Sequence, residues 1–256
     1  MEKEITSPRE DLIIGRNAVS EALRSGRAID TLLVSRGERN GSIGRIIAEC
    51  RVKCVVIKEV DRKKLDLMCG GAVHQGVAAY AASHEYSSVE DIFALAEERG
   101  EKPFIIICVV LEDPHNLGAV LRTAEATGAH GVIIPKRRNA SLSYVVGKAS
   151  AGAVEYVPVA RVANIAQTID ELKERGVWFY AADMDGENWC SVDYDGAVGL
   201  VIGSEGRGVS RLVREKCDFI VSMPMKGRIN SLNASVAAGV LMYEVARQRA
   251  GIKAKG

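Results

Sequence analysis

The segment 104–110, Phe-Ile-Ile-Ile-Cys-Val-Val, constrains the fold more than any other stretch of the chain. It is wholly apolar and rich in β-branched residues, with Pro103 before it and Leu-Glu-Asp-Pro after it. A run with no polar face reads as a strand covered on both sides, as in a parallel sheet flanked by helices. It is far too short to cross a bilayer.

The pattern downstream agrees. A helix is expected over 116–127, ended by Gly128, and a strand over 131–134, stopped by Pro135. A second helix spans 164–175 and closes at Gly176, followed by strands at 177–181 and 198–202. A helix at 209–215, a strand at 219–221 and a last helix to about 249 complete the series. Strands alternating with helices predict a mainly parallel α/β domain over 103–256. Upstream, helices at 17–24, 43–50 and 60–68 alternate with strands at 31–34, 54–57 and 76–82, a smaller α/β layer within 1–84. Between them lie a linker and a connecting helix, 85–102. Ser87 or Ser88 caps that helix, its first turn is acidic, and Gly100 follows it.

Composition narrows the function classes. With 47% hydrophobic and 26% charged residues among 256, the chain is that of a folded soluble protein. A net charge of +1 exerts no global pull on nucleic acid, so RNA contact has to come from local patches. The six cysteines are scattered without a CxxC pair, so no metal site is expected and reduced thiols are the simpler reading. The first ten residues are charged and cannot act as a secretory apolar core. The expectation is a cytoplasmic protein with no membrane segment.

In an open parallel sheet, ligands sit beyond the carboxyl ends of the strands. Three such ends carry unusual loops here. The first runs Leu111-Glu-Asp-Pro-His-Asn-Leu-Gly-Ala-Val-Leu-Arg-Thr-Ala124, with Asn116 placed to cap a helix and Arg122 further along it. Taken alone, Arg122 is a surface arginine or a group turned back toward the loop mouth. The second is Gly203-Ser-Glu-Gly-Arg-Gly208. Its glycines let backbone N–H groups approach a ligand. The GxxGxG spacing differs from the dinucleotide and P-loop patterns. Glu205 within it is a carboxylate that a turn alone does not require. The third is Met223-Pro-Met-Lys-Gly-Arg-Ile-Asn-Ser-Leu-Asn-Ala-Ser-Val-Ala-Ala-Gly239, where Asn230, Ser231 and Asn233 crowd a helix start. Ala234, Ala237, Ala238 and Gly239 keep that helix thin, so another backbone can come close. The convergence of all three points to a ligand site.

Together these loops resemble the three motifs of the SpoU (TrmH-type) RNA ribose 2′-O-methyltransferases of the SPOUT superfamily. The earlier half, with Gly15-Arg-Asn-Ala-Val-Ser-Glu-Ala-Leu and His74-Gln-Gly-Val, resembles the L30e-like substrate-binding domain of many members. The nearest subgroup is the large-subunit (23S) ribosomal RNA guanosine 2′-O-methyltransferases. The resemblance implies a trefoil-knotted C-terminal domain, S-adenosyl-L-methionine as cofactor and a homodimer with its sites at the interface. By match, Gly203, Met223 and Leu232 contact the cofactor, and the catalytic positions are Asn116, Arg122, Glu205, Ser231 and Asn233. Arg122 is the base that the family favours, yet a guanidinium is almost never deprotonated in a protein. A role consistent with its chemistry is to bind an RNA phosphate and polarise the 2′-hydroxyl. Glu205 then orients an arginine or a substrate group, while Ser231 and Asn233 shape the methyl-transfer pocket.

Lys136-Arg137-Arg138, just after a strand, is either an exposed basic loop or a phosphate contact. The first half lacks stacking aromatics and fits recognition of RNA shape better than of a splayed strand. Alternatives are a transfer RNA ribose methyltransferase and a non-catalytic RNA-binding protein. Intact Arg122, Glu205 and Asn233 oppose the second.

Overall fold

The computed structural model describes residues 11–253 apart from Arg39, Asn40, Cys54, Ser83, Glu205, Arg207 and Asn230. These residues form two compact units, one running to Glu85 and including Ser141–Tyr144, the other comprising Tyr86–Ala140 and the chain from Val145.

The first unit contains β1 (Leu12–Ile14), α1 (Arg16–Arg24), β2 (Ile29–Ser35), α2 (Ser42–Val52), β3 (Val56–Val60), α3 (Arg62–Met68) and β4 (Val77–Ala81). Its sheet has the order β1-β4-β2-β3, with only β2 and β3 parallel. Val19, Leu23, Leu32, Val34, Ile43 and Ile46 make one apolar layer, Leu33, Leu65 and Ala78 the other. The third strand lies later than the 54–57 expected from sequence. Pairing with β2, Thr31 opposite Val56 through Ser35 opposite Val60, draws Lys58 and Glu59 into the ladder despite their charge. Asp61 then caps α3 by accepting the Lys63 N–H at 3.0 Å. The three residues of β1 were too short a signal to be read.

The second unit begins with α4 (Val89–Glu98). Ser88 and Asp91 exchange hydrogen bonds as a capping box, Asp91 N–H to Ser88 Oγ at 3.1 Å and Ser88 N–H to Asp91 Oδ2 at 2.7 Å. Then follow β5 (Phe104–Cys108), α5 (Pro114–Ala126), β6 (Gly131–Pro135), α6 (Tyr144–Ala149), β7 (Val159–Val162), α7 (Ile165–Glu174), β8 (Val177–Asn188), β9 (Ala197–Ile202), α8 (Arg211–Lys216), β10 (Phe219–Ser222) and α9 (Ala234–Arg249). The six strands are ordered β10-β8-β9-β5-β6-β7, and all their pairings are parallel. This is the covered parallel sheet that the 104–110 run predicts. Ile105, Ile107, Ile133, Phe179 and Val201 pack on Ile92 of α4, Ile169 and Leu172 of α7 and Val213 of α8. At about 1.5–3 kcal/mol for each large side chain removed from water, this layer dominates the unit's stability. α5 and α9 pack against each other, and α9 against β9. No described helix is long and apolar enough to cross a membrane.

Two local departures matter for the site. The strand expected over 104–110 stops at Cys108, because Val110 turns into the left-handed region with φ 59°. A β-branched side chain is costly there and needs its surroundings to hold it. The helix expected from Asn116 starts earlier, at Pro114. Asp113 caps it by accepting the His115 N–H at 2.9 Å, and proline suits the first helical position. Asn116 is therefore not the cap, and its side chain is available for another partner.

Candidate active site

β5 and β9 end level with each other, Cys108 opposite Ile202, and Val109 N–H donates to the Ile202 carbonyl at 2.8 Å. From these neighbours the chain departs in opposite directions, from β5 to β6 and from β9 past β8 to β10. Such a reversal of strand order opens the crevice in which α/β sheets hold ligands.

The loop after β9 closes on itself. Ser204 N–H donates to Gly208 O at 3.2 Å and Gly208 N–H to Ser204 O at 2.8 Å. A Cβ on Gly203 would lie 2.1 Å from Gly208 C and 2.4 Å from Val209 N, so only glycine permits this closure. Glu205, expected to be catalytic, lies outside the described residues.

Gly203, Met223, Ser231 and Leu232 all line one cavity of about 300 Å³, with Met225, Ala234 and Ala237 among its other walls. A further wall comes from β8 and was not anticipated. β8 pairs with β10 as far as Ala181 opposite Ile220 and resumes at Glu187 opposite Val221, so residues 182–186 loop out. Arg214 of α8 pins that loop, Nη1 lying 3.3 Å from Asp183 Oδ2 and Nη2 donating to Asp185 O at 3.3 Å. Ala182, Asp183 and Met184 face the cavity. Asp185-Gly186 was the available signal, since such a pair marks a turn within an otherwise apolar strand.

The first and third motifs meet through side chains. Asn233 caps α9, its Oδ1 accepting the Ser235 N–H at 3.0 Å and the Val236 N–H at 3.3 Å. That fixes which end of the amide faces outward. Nδ2 donates to Asn116 Oδ1 at 3.0 Å, across 117 residues of sequence. Ser235 Oγ bridges the same pair, 2.6 Å from Asn233 Oδ1 and 3.3 Å from Asn116 Oδ1. Ser235 went unremarked in the sequence although it stands two residues after Asn233.

Arg122 is exposed and stands apart from this cluster. Six residues along a helix is roughly 9 Å of rise and about 120° of rotation from Asn116. Thr123, one residue further on, faces α9, where a Cβ on Gly239 would sit 3.8 Å from its methyl group. The basic loop follows β6. Arg137 and Arg138 are exposed, and Lys136 is half-buried. Its neighbour Asn139 accepts the Leu111 N–H at 2.5 Å, while Ala140 N–H donates to Leu111 O at 2.7 Å. The loop is thus tied to the segment that leads to Asn116.

Cys108 ends β5 wholly buried, and burial pushes its thiol up to about 12, so it stays protonated and is no nucleophile. No described group of His, Cys, Asp and Glu is arranged to hold a metal ion. The site offers backbone donors, amides, a hydroxyl and apolar walls, which suit binding and alignment.

Residues 103–243 match the model of the SpoU rRNA Methylase family. The chain belongs to this family. Residues 12–87 match a second model, RNA 2′-O ribose methyltransferase substrate binding. Membership of the SpoU family makes the protein an S-adenosylmethionine-dependent RNA 2′-O-methyltransferase. YacO of Bacillus subtilis (strain 168), assigned to the TrmH family of tRNA/rRNA methyltransferases, is 49% identical over 95% of this chain and 98% of its own. Among solved structures, the SpoU methyltransferase AviRb from Streptomyces viridochromogenes, in complex with the cofactor AdoMet, is 26% identical with a TM-score of 0.59. That likeness covers 94% of this chain and 90% of AviRb. The TrmH/SpoU tRNA modifying enzyme of A. aeolicus is 31% identical with a TM-score of 0.55, over 59% of this chain and 77% of its own.

Proposed function

We propose that this SpoU protein methylates the ribose 2′-oxygen of a guanosine in large-subunit (23S) ribosomal RNA, acting as a homodimer in the cytoplasm. The observation that carries the catalytic part is the Asn116–Asn233–Ser235 cluster, in which two sequence motifs meet beside a cavity lined by residues of all the cofactor positions. The length of the likeness favours ribosomal RNA. It runs over 95% of this chain with the AdoMet-bound rRNA methyltransferase from Sinorhizobium meliloti, 25% identical with a TM-score of 0.57, but stops at 59% with the tRNA modifying enzyme.

The cavity fits the methyl donor. Its volume of about 300 Å³ is at the lower end for small-molecule sites, roughly 300–1,000 Å³. Gly203, Ser204 and Ser231 supply polar lining for a nucleoside, and Met223, Met225 and Leu232 supply apolar wall. Bound S-adenosylmethionine supplies a methyl group already activated by a positively charged sulfur. The protein's work is then alignment of the ribose oxygen and help in releasing its proton. Asn116 and Asn233 hold each other in one orientation next to Leu232 and Ala234 of the cavity wall. Ser231 narrows the pocket, and Glu205 orients an arginine or a substrate group. Arg122 binds an RNA phosphate and polarises the 2′-hydroxyl, whose proton passes to solvent.

The exposure of Arg122, on a different face from Asn116, supports its delivery to the partner protomer's site. The apolar face along α9 supports a partner on that side. A groove of about 760 Å³ is lined by Trp189, Val240, Tyr243, Ala246 and Ile252, with Tyr243 57% and Ile252 59% exposed. Exposed apolar side chains gathered along one helix suit an interaction face. A trefoil knot within 103–256 belongs to the same proposal, supported by the small residues Ala234 and Ala237 where the start of α9 borders the cavity. Lys136, Arg137 and Arg138 provide phosphate contacts.

The test is a map of ribose methylation on ribosomal and transfer RNA from cells lacking the gene, beside a complemented strain. Loss of one large-subunit guanosine mark supports the proposal. Loss of a transfer RNA mark instead would replace ribosomal with transfer RNA as the substrate.

A further inference from the structure

The motif His74-Gln-Gly-Val of the first unit has no part in the methyl-transfer site, yet it is built with unusual care. His74 is buried, and both ring nitrogens are engaged. Nδ1 accepts the Gly76 N–H at 2.9 Å, and Nε2 donates to Asp66 Oδ1 at 2.8 Å. The imidazole is a lock for the turn.

What the lock presents is Gln75. Its φ of 52° is left-handed, a conformation that glycine adopts freely and other residues adopt at a cost. The backbone is held there from several sides. Arg16 Nε donates to Gln75 O at 2.8 Å, Val77 N–H to His74 O at 3.0 Å, and Ser35 N–H to Gly76 O at 2.9 Å. Gln75 itself is exposed, and its side-chain amide has no hydrogen bond among the described residues. A turn alone would be better served by glycine, the residue found next to it. The strain is kept for the side chain.

Cationic groups adjoin it. Arg16 Nη2 lies 3.1 Å and Arg62 Nη1 3.7 Å from the two oxygens of Glu38. Glu38 in turn rests on the turn, since a Cβ at Gly76 would come within 2.7 Å of its Oε2. Glu38 and Asp66 balance the two guanidiniums, yet the Arg62 side chain is 68% exposed and held only at 3.7 Å, so it can reach an incoming phosphate.

We infer that Gln75 and Arg62 form an RNA-reading contact of the first unit. The Gln75 amide hydrogen-bonds a base edge or ribose hydroxyl displayed by folded RNA, while Arg62, positioned through Glu38, pairs with a neighbouring phosphate. An amide both donates and accepts, as base edges and 2′-hydroxyls require, and a guanidinium matches phosphate. The inference rests on the proposed RNA methyltransferase function.

The experiment compares wild type, Gln75→Gly and Arg62→Gln for binding to in vitro transcribed 23S ribosomal RNA and to unfractionated transfer RNA. Thermal unfolding and S-adenosylmethionine affinity are measured alongside. Gln75→Gly relieves the backbone while deleting the amide. It should melt at or above the wild-type temperature, keep its cofactor affinity, and bind its RNA roughly tenfold more weakly, the effect of one lost hydrogen bond. Arg62→Gln should make the plot of log affinity against log salt shallower by about one. Wild-type RNA affinity in Gln75→Gly would overturn the inference, as would a marked fall in its melting temperature, which would make the amide structural. If the wild type binds neither RNA, the proposed function falls first and this contact with it.

Discussion

Replacing Gly203 by alanine isolates the steric closure of the loop after β9. The added Cβ would sit 2.1 Å from Gly208 C, 2.2 Å from Gly208 O and 2.4 Å from Val209 N. Carbon atoms in comfortable contact are about 3.5–4.0 Å apart, so the 208–209 backbone has to retreat by more than ~1 Å. Backbone of this kind has no rotamer to give. Overpacking costs about 1–3 kcal/mol, and the two hydrogen bonds of the Ser204–Gly208 bridge add about 0.5–1.5 kcal/mol each if they open. A disturbance of about 2–6 kcal/mol falling on the cavity wall weakens cofactor binding by roughly 30-fold to 20,000-fold, at ~1.4 kcal/mol per factor of ten. Gly203 does not occupy the left-handed region, so alanine brings no backbone strain of its own. Gly206→Ala is the matched control, because its Cβ would meet nothing within 4 Å. Calorimetric titration with S-adenosylmethionine, beside thermal unfolding to verify the fold, gives the answer. Binding within threefold of wild type in Gly203→Ala, or an equal loss in Gly206→Ala, would refute the reasoning.

Arg122→Lys keeps the charge but loses the planar fork. Turnover should fall by at least roughly tenfold with cofactor affinity unchanged, and full turnover would remove Arg122 as an essential group. Neutralising Lys136, Arg137 and Arg138 together should flatten the salt dependence of RNA binding by up to about three in slope; an unchanged slope would take the loop out of the footprint. Asn233→Asp preserves the cap on α9 but sets two oxygens against each other where Nδ2 now donates to Asn116. Melting should change little while turnover drops, and equal turnover would deny the cluster a catalytic role. His130 is fully buried, and burial holds its imidazole below the usual value despite Glu101 nearby. Below about pH 6.5 the unfolded chain gains a proton that the folded chain refuses, so stability falls with pH by at most about 1.4 kcal/mol per unit. Denaturant unfolding of His130→Gln from pH 7 to 5 should show a flatter dependence, and an unchanged one would place that slope elsewhere.

Much of the second unit could be read from sequence because its strands are covered on both faces and its helices end at glycines. Gly128 and Gly176 each mark a helix end within two residues. The motif loops stood out for a related reason, polar or glycine residues at strand ends where packing alone does not call for them. What could not be read depends on pairing between distant segments. The strand β3 is drawn over Lys58 and Glu59 by its ladder with β2, and residues 182–186 of β8 drop out of its ladder with β10 through a shift in register. Asn116 reads as a cap from sequence because its residue type suits one. Asp113 took that place through Pro114, leaving Asn116 to reach Asn233, a contact that no local pattern encodes.

Transfer of a methyl group to a ribose 2′-oxygen of large-subunit ribosomal RNA leaves a product that alkali can reveal. The most direct measurement incubates the purified chain with methyl-labelled S-adenosylmethionine and a 23S transcript, then subjects the RNA to alkaline hydrolysis. A methylated 2′-oxygen cannot attack its own phosphodiester. Label is expected in one alkali-resistant dinucleotide carrying 2′-O-methylguanosine, and none with Gly203→Ala at the same cofactor concentration. Label released as a base-methylated mononucleotide, or no label at all, would contradict it.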